Sequence, residues 1–208
     1  MDRRSIKKQA ISIVKENFKD IWIGLSVNFI ITIIFNILFG YVLNGSNINT
    51  YLYNGISVAF NFLTIPLSFG TSKYLLAVIR NEKHSFSDLF YYYKNRLIET
   101  LILSIVISLC TTLGMVAFII PAIVIYIMFA QAENIFIDSN LNSFDSLKQS
   151  INLMKGYKWD YFNFLISFLG WVLLGIVTFG LLYIWVYPYL MISQKLYYVE
   201  LTKIKNLQ

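Results

Sequence analysis

Apolar residues run along this chain in three long blocks that contain no Asp, Glu, Lys or Arg: residues 21–72, 100–132 and 161–194, or 52, 33 and 34 positions. A helix needs about 20 apolar residues to cross the hydrocarbon core of a bilayer. Each block is too long for one crossing and suits an out-and-back pair. The pattern therefore predicts an all-α polytopic membrane bundle of six spans, arranged as three hairpins. The expected boundaries are an interfacial helix over 1–19, hairpins over 20–79, 97–137 and 161–202, and cytoplasmic amphipathic segments over 80–96 and 138–160.

Local signals refine this outline. Ile6, Ala10, Ile13, Val14 and Phe18 share one face of a first helix, with Arg3, Lys7, Lys8, Lys15 and Lys19 largely on another. Such a helix lies in the membrane interface, or docks on protein. The polar run Asn44, Gly45, Ser46, Asn47, Ile48 and Asn49 reads as a loop. The second hairpin is expected to turn near Thr112, Leu113 and Gly114, and the third near Thr178, Phe179 and Gly180. Ser85 with Asp88, and Ser143, read as helix starts. Phe86, Leu89, Phe90 and Tyr93 then form one apolar stripe; Phe144, Leu147, Ile151 and Met154 form another.

One proline falls in each return helix: Pro66, Pro121 and Pro188. Pro121 precedes Glu133 by the same twelve residues that separate Pro188 from Glu200. Together with the parallel Ser-Phe starts at 85 and 143, this suggests a threefold internal repeat of amphipathic helix, outgoing span and return span.

Composition agrees. The chain is 57% hydrophobic and 13% charged, with mean hydropathy +0.62; soluble domains carry about 25% charged residues. The net charge of +6 comes from cations flanking the blocks. They set orientation and attract anionic headgroups at the cytoplasmic face, and no nucleic-acid partner is expected. The turns expected outside, near 44–55, 114–118 and 179–182, carry no charge, which places both termini in the cytoplasm. Arg3, Arg4, Lys7 and Lys8 resemble the start of a secretory signal. The apolar run begins only near Ile21 and is longer than a signal core of about 7–15 residues, so the first span is expected to remain. Trp22, Lys155, Lys158 and Trp159 are candidate interfacial anchors.

The chemistry-bearing residues inside the spans are uncharged. Asn28, Thr32 and Asn36 lie on one helical face. Ser57, Asn61, Thr64, Ser68 and Thr71 lie on a second, and Ser104, Ser108 and Thr112 on a third. Polar groups in lipid turn inward and find partners. These stripes serve as interhelical glue, or they line a groove that binds a ligand; Asn28, Thr32, Asn36, Asn61, Thr64, Ser104 and Ser108 are the candidates. Proton- and cation-coupled carriers place Asp, Glu or His at mid-membrane, and none is expected there. His84 is the sole histidine and Cys110 the sole cysteine. Neither a metal nor another cofactor is expected, and no hydrolase or phosphate-loop motif occurs.

Ser87, Asp88, Leu89 and Phe90, the run Leu153, Met154, Lys155, Gly156, Tyr157, Lys158 and Trp159, then Phe168, Leu169, Gly170 and Trp171, and Thr178, Phe179 and Gly180 through Trp185, Pro188 and Tyr189 carry a family resemblance. Together they resemble the bacterial integral-membrane family of unknown function numbered nine-seven-five. That family is similar to the membrane domain attached to some glycerophosphodiester phosphodiesterases. The resemblance implies a bacterial cytoplasmic-membrane protein, and no activity. The expectation is a non-enzymatic membrane protein that binds an amphipathic ligand, lipid or peptide, or scaffolds a membrane complex. Immunity to or export of membrane-active peptides, and an uncoupled permease or channel, are the alternatives.

Overall fold

The computed structural model describes residues 2–45 and 50–206; among the described residues the only regular structure is helix, without a strand. Eleven α-helices follow one another: α1 (Arg3–Glu16), α2 (Phe18–Gly45), α3 (Thr50–Ile79), α4 (Tyr91–Asn95), α5 (Leu97–Ala117), α6 (Ile119–Phe129), α7 (Ala132–Ser139), α8 (Ser143–Met154), α9 (Lys158–Ile166), α10 (Leu169–Val177) and α11 (Tyr183–Asn206). A 3-10 turn, Phe86–Phe90, precedes α4.

Among the described residues, five stretches are long and apolar enough to cross a membrane: Phe18–Tyr41, Tyr51–Ile79, Leu97–Ala117, Ile119–Ser139 and Lys158–Val177. The expected sixth, α11, has 24 residues, but Lys195, Glu200, Lys203 and Lys205 occupy its second half. Pro66 lies inside α3, Pro121 in α6 and Pro188 inside α11. Of the polar loop expected at 44–49, Asn44 and Gly45 instead end α2, and 46–49 lie outside the described residues.

Protein–protein packing is concentrated at the charged ends of the helices. Ile21 and Leu25 of α2 are buried, whereas Phe29, Ile33, Ile37 and Leu38 further along are exposed. Leu67, Tyr74, Leu75 and Val78 of α3 join Phe164, Phe168, Ile192, Tyr197 and Leu201 in the main core. A second cluster gathers Phe69, Tyr92, Leu103, Phe136 and Leu147. Beyond these, α2 and α3 touch through stacked rings, Phe35 on Phe60 at 3.6 Å and Phe39 on Tyr53 at 5.1 Å. Large apolar side chains are exposed all along the outer surfaces of α2, α5, α6 and α10, among them Ile37, Leu113, Ile120 and Ile176, where water would not tolerate so many together on a monomer.

The first helix departs from the interfacial expectation. Its apolar face, Ile6, Ala10 and Val14, is buried in the main core with α11. Ala10 supplies no bulk, so the helices approach closely. Lys7 donates to the Ser167 carbonyl at 3.3 Å and covers the Phe168 ring, and Arg3 pairs with Asp160. Burial, and then Arg3, lower the pKa of Lys7.

Two local expectations also shift. The second hairpin turns at Phe118, a single extended residue, four positions past the expected glycine. Gly114 serves instead as the crossing point: a Cβ there would lie 2.8 Å from Ile125 Cδ1 and 3.0 Å from Ala122 Cα. At α8 the N-cap is Asn142, which accepts from the Asp145 N–H at 2.8 Å, while the Ser143 hydroxyl donates to the Glu99 carbonyl. The buried face of α8 is Ser143, Ser146, Leu147, Ser150 and Met154, and Phe144 is exposed. Small serines let α8 sit against the ends of the membrane-length helices. The third turn falls at Thr178, Phe179 and Gly180, with Gly180 at φ 86°. The expected capping box of Ser85 and Asp88 is present.

Ion pairs stitch the charged segments together. Lys73 pairs with Asp88, and Arg80 forms a bidentate pair with Asp138 that raises the arginine's pKa. Arg96 binds Glu99, the Leu141 carbonyl and Asn140 Oδ1, and lies 3.9 Å from the Phe136 ring centre. These contacts link the start of α5 to the α7–α8 loop.

A polar cavity at a broken helix

The polar stripes named from sequence largely satisfy themselves. Thr32 donates to the Asn28 carbonyl, Asn36 to that of Thr32, Asn61 to that of Ser57 and Thr64 to that of Asn61. Each is a bond within one helix, and Thr32, Asn36 and Asn61 are exposed. Asn28 crosses to a neighbour: its Nδ2 donates to Thr71 Oγ1 at 2.9 Å. Ser104 is half-buried and Ser108 exposed on α5. The structure therefore joins Asn28 to Thr71 and does not gather the seven candidates around one space.

The proposed anchors lie at surfaces. Lys155 is exposed, and Trp159 is exposed and stacked on Phe162 at 5.2 Å. Lys158 and Trp159 border an apolar groove of about 420 Å³ with Ile120, Ile123, Val124 and Ile127. Trp22 borders a second groove, of about 480 Å³, between α2 and α11.

A more organised polar site lies where the fourth membrane-length helix breaks. Between α6 and α7 the chain passes through Ala130 and Gln131. An interrupted helix leaves backbone groups without their usual partners, and in a membrane these must be satisfied by protein. Ser150 of α8 does this on both sides. Its Oγ accepts from the Gln131 N–H at 3.3 Å and donates to the Met128 carbonyl at 2.8 Å.

Beyond the break, Gln131, Glu133 and Asn134 face Lys195 of α11. The Lys195 ammonium donates to Asn134 Oδ1 at 2.7 Å and lies 3.6 Å from Glu133 Oε1. Asn134 Nδ2 in turn donates to Gln131 Oε1 at 3.0 Å. Lys195 is 7% exposed and Gln131 1%. These residues line a cavity of about 190 Å³ with Ile107, Tyr126, Phe129, Tyr161 and Gln194. Among the described residues, no group meets the buried Gln131 Nε2 at regular hydrogen-bond geometry, and the Tyr161 hydroxyl is its polar neighbour. Glu133 Oε1 has only the long contact to Lys195. Buried polar groups in folded proteins are nearly all bonded, so an orphan amide beside a cavity marks a place for another polar group.

Sequence reasoning passed over this cluster. Glu133 and Lys195 read as flanking charges because each is the first charge after an apolar block. That position was itself the signal: a charge bordering a span lies near enough to the interior to fold inward onto a partner.

The family described as "Protein of unknown function (DUF975)" matches residues 113–205, which span α6 to α11 and nearly all of this cavity. The motifs at 153–159, 168–171 and 178–189 fall inside the matched region, and Ser87 to Phe90 fall outside it. No curated protein and no solved structure matches the chain.

Proposed function

We propose that this chain is a non-enzymatic, six-span protein of the bacterial cytoplasmic membrane that receives the polar end of an amphipathic molecule in the cavity beside Gln131. In this reading α11 is the sixth span, with its tyrosines, Trp185 and lysines toward the interface. Both termini lie in the cytoplasm. The pairs Arg3–Asp160, Lys73–Asp88 and Arg80–Asp138 support a single charged end, since they join α1 to α9, and the end of α3 to the 3-10 turn and to α7, at their charged ends.

The orphan Gln131 amide carries the functional reading. The backbone at the break, Asn134 and the Gln131 side-chain carbonyl oxygen are bonded to neighbours, whereas Gln131 Nε2 is left over, in a residue that lines a cavity with both polar and apolar walls. An interior ionisable pair next to it is costly to maintain in a membrane unless it serves a site.

Gln131→Leu tests this. Protein purified in mild detergent and weighed by native mass spectrometry is expected to retain co-purifying membrane lipid. The leucine variant, with a modestly lowered melting temperature because Asn134 Nδ2 loses its acceptor, is expected to lose occupancy by about tenfold, the effect of one hydrogen bond to a buried group. Equal lipid retention by the two proteins would overturn the proposal.

A further inference from the structure

The cavity's charge balance and its unpaired atoms define the chemistry of its occupant. Glu133 and Lys195 cancel each other. Asp138, the other carboxylate whose field reaches Lys195, is neutralised by Arg80. Adding an anion or a cation would create net charge in a poorly solvated interior, which is strongly unfavourable. The buried cavity atoms without a hydrogen bond are the donor Gln131 Nε2 and the acceptor Glu133 Oε1, the latter 3.6 Å from the Lys195 ammonium. The Tyr126 and Tyr161 hydroxyls and the Gln194 amide, each able to donate and accept, line the same space. A phosphate or ester oxygen only accepts and an ammonium only donates, whereas a hydroxyl does both.

Size and access complete the description. A volume of about 190 Å³ equals the liquid share of about six waters, below the roughly 300 Å³ of small-molecule pockets. It suits a head group with its chains left outside. Tyr126, 47% exposed on α6, belongs both to the apolar outer wall and to the cavity lining, so the entrance faces lipid.

Building on the function proposed above, we infer that the occupant is a lipid with an uncharged, hydroxyl-bearing head, such as a diacylglycerol or a glycosylated diacylglycerol. Its hydroxyl accepts from Gln131 and donates toward Glu133, while its acyl chains remain in the bilayer.

Purified protein in detergent is offered dioctanoylglycerol, dioctanoylphosphatidic acid and glucosyl-dioctanoylglycerol, and binding is read by native mass spectrometry. An uncharged lipid is expected to bind at least about tenfold more tightly than the phosphatidic acid, and Gln131→Leu is expected to abolish that advantage. Whichever of the two uncharged lipids binds more tightly identifies the hydroxyl as the glycerol's or the sugar's. Glu133→Gln, which leaves Lys195 uncompensated, is expected to reverse the preference toward phosphatidic acid. Misfolding cannot produce a reversal. If Glu133→Gln does not fold, the wild-type ranking and Gln131→Leu decide. Wild-type preference for phosphatidic acid that still depends on Gln131 would overturn the uncharged head and leave the cavity reading standing. Binding of every lipid indifferent to Gln131→Leu, or no binding at all, would overturn both.

Discussion

Gly70→Ala is expected to destabilise the protein by about 3 kcal/mol or more, at the upper end of overpacking effects. A Cβ at Gly70 would lie 1.9 Å from the Leu89 carbonyl oxygen, 2.5 Å from its carbon and 2.8 Å from its Cα. All three atoms are backbone, so no side-chain rotation relieves the clash. The 3-10 turn must lift off α3, drawing Leu89 out of the main core. Gly40→Ala is the control, because nothing lies within 4 Å of a Cβ there. Thermal unfolding in detergent is expected to show a markedly lower midpoint for Gly70→Ala and an unchanged or higher one for Gly40→Ala, since alanine is the better helix former. Equal midpoints for Gly70→Ala and wild type would refute the close approach.

Lys195→Met is expected to cost about 3 kcal/mol, and the double change Glu133→Gln with Lys195→Met to recover more than half of it. Removing one partner of a buried ion pair typically costs about 3–5 kcal/mol, because the other charge is left uncompensated. The lower end applies because the Glu133 side chain is 34% exposed. Replacing both removes the stranded charge and keeps the volume. A double-mutant cycle on unfolding free energies measures the coupling. Strict additivity would show that the pair is not a unit.

The parts of the architecture that were legible from sequence are those governed by the cost of placing charge in lipid. The charge-free blocks locate the interiors of the five membrane-length stretches, whose charged residues, such as Lys19, Lys73, Glu99, Glu133 and Asp160, fall toward one end of each. The turn at 178–180 was legible through Gly180, which takes the left-handed backbone at low cost, although Phe179 beside it, at φ 50°, takes it too. The turn at Phe118 was not, since one extended residue reverses the chain and any amino acid adopts that conformation. Gly114 drew the prediction, although its role is to let helices cross.

The polar cavity was illegible for a different reason. Its members come from α5, α6, α7, α9, α11 and the α6–α7 junction, and no spacing in the chain announces that Lys195 meets Asn134. Ser150 was hidden likewise: a serine on an amphipathic helix reads as solvated, and here it is wholly buried against the broken helix. Of the polar stripes, Asn28 and Thr71 meet each other and join α2 to α3, while Thr32, Asn36, Asn61 and Ser108 are exposed.

Cysteine accessibility in intact cells tests the topology on which the site depends. In a Cys110→Ser background, Phe179→Cys occupies the third turn, where the native side chain is 98% exposed, and Lys155→Cys occupies the exposed C-cap of α8. A membrane-impermeant maleimide is expected to label position 179 in intact cells and position 155 only after permeabilisation. Labelling of position 155 in intact cells would contradict a bundle with all its cations on one cytoplasmic face.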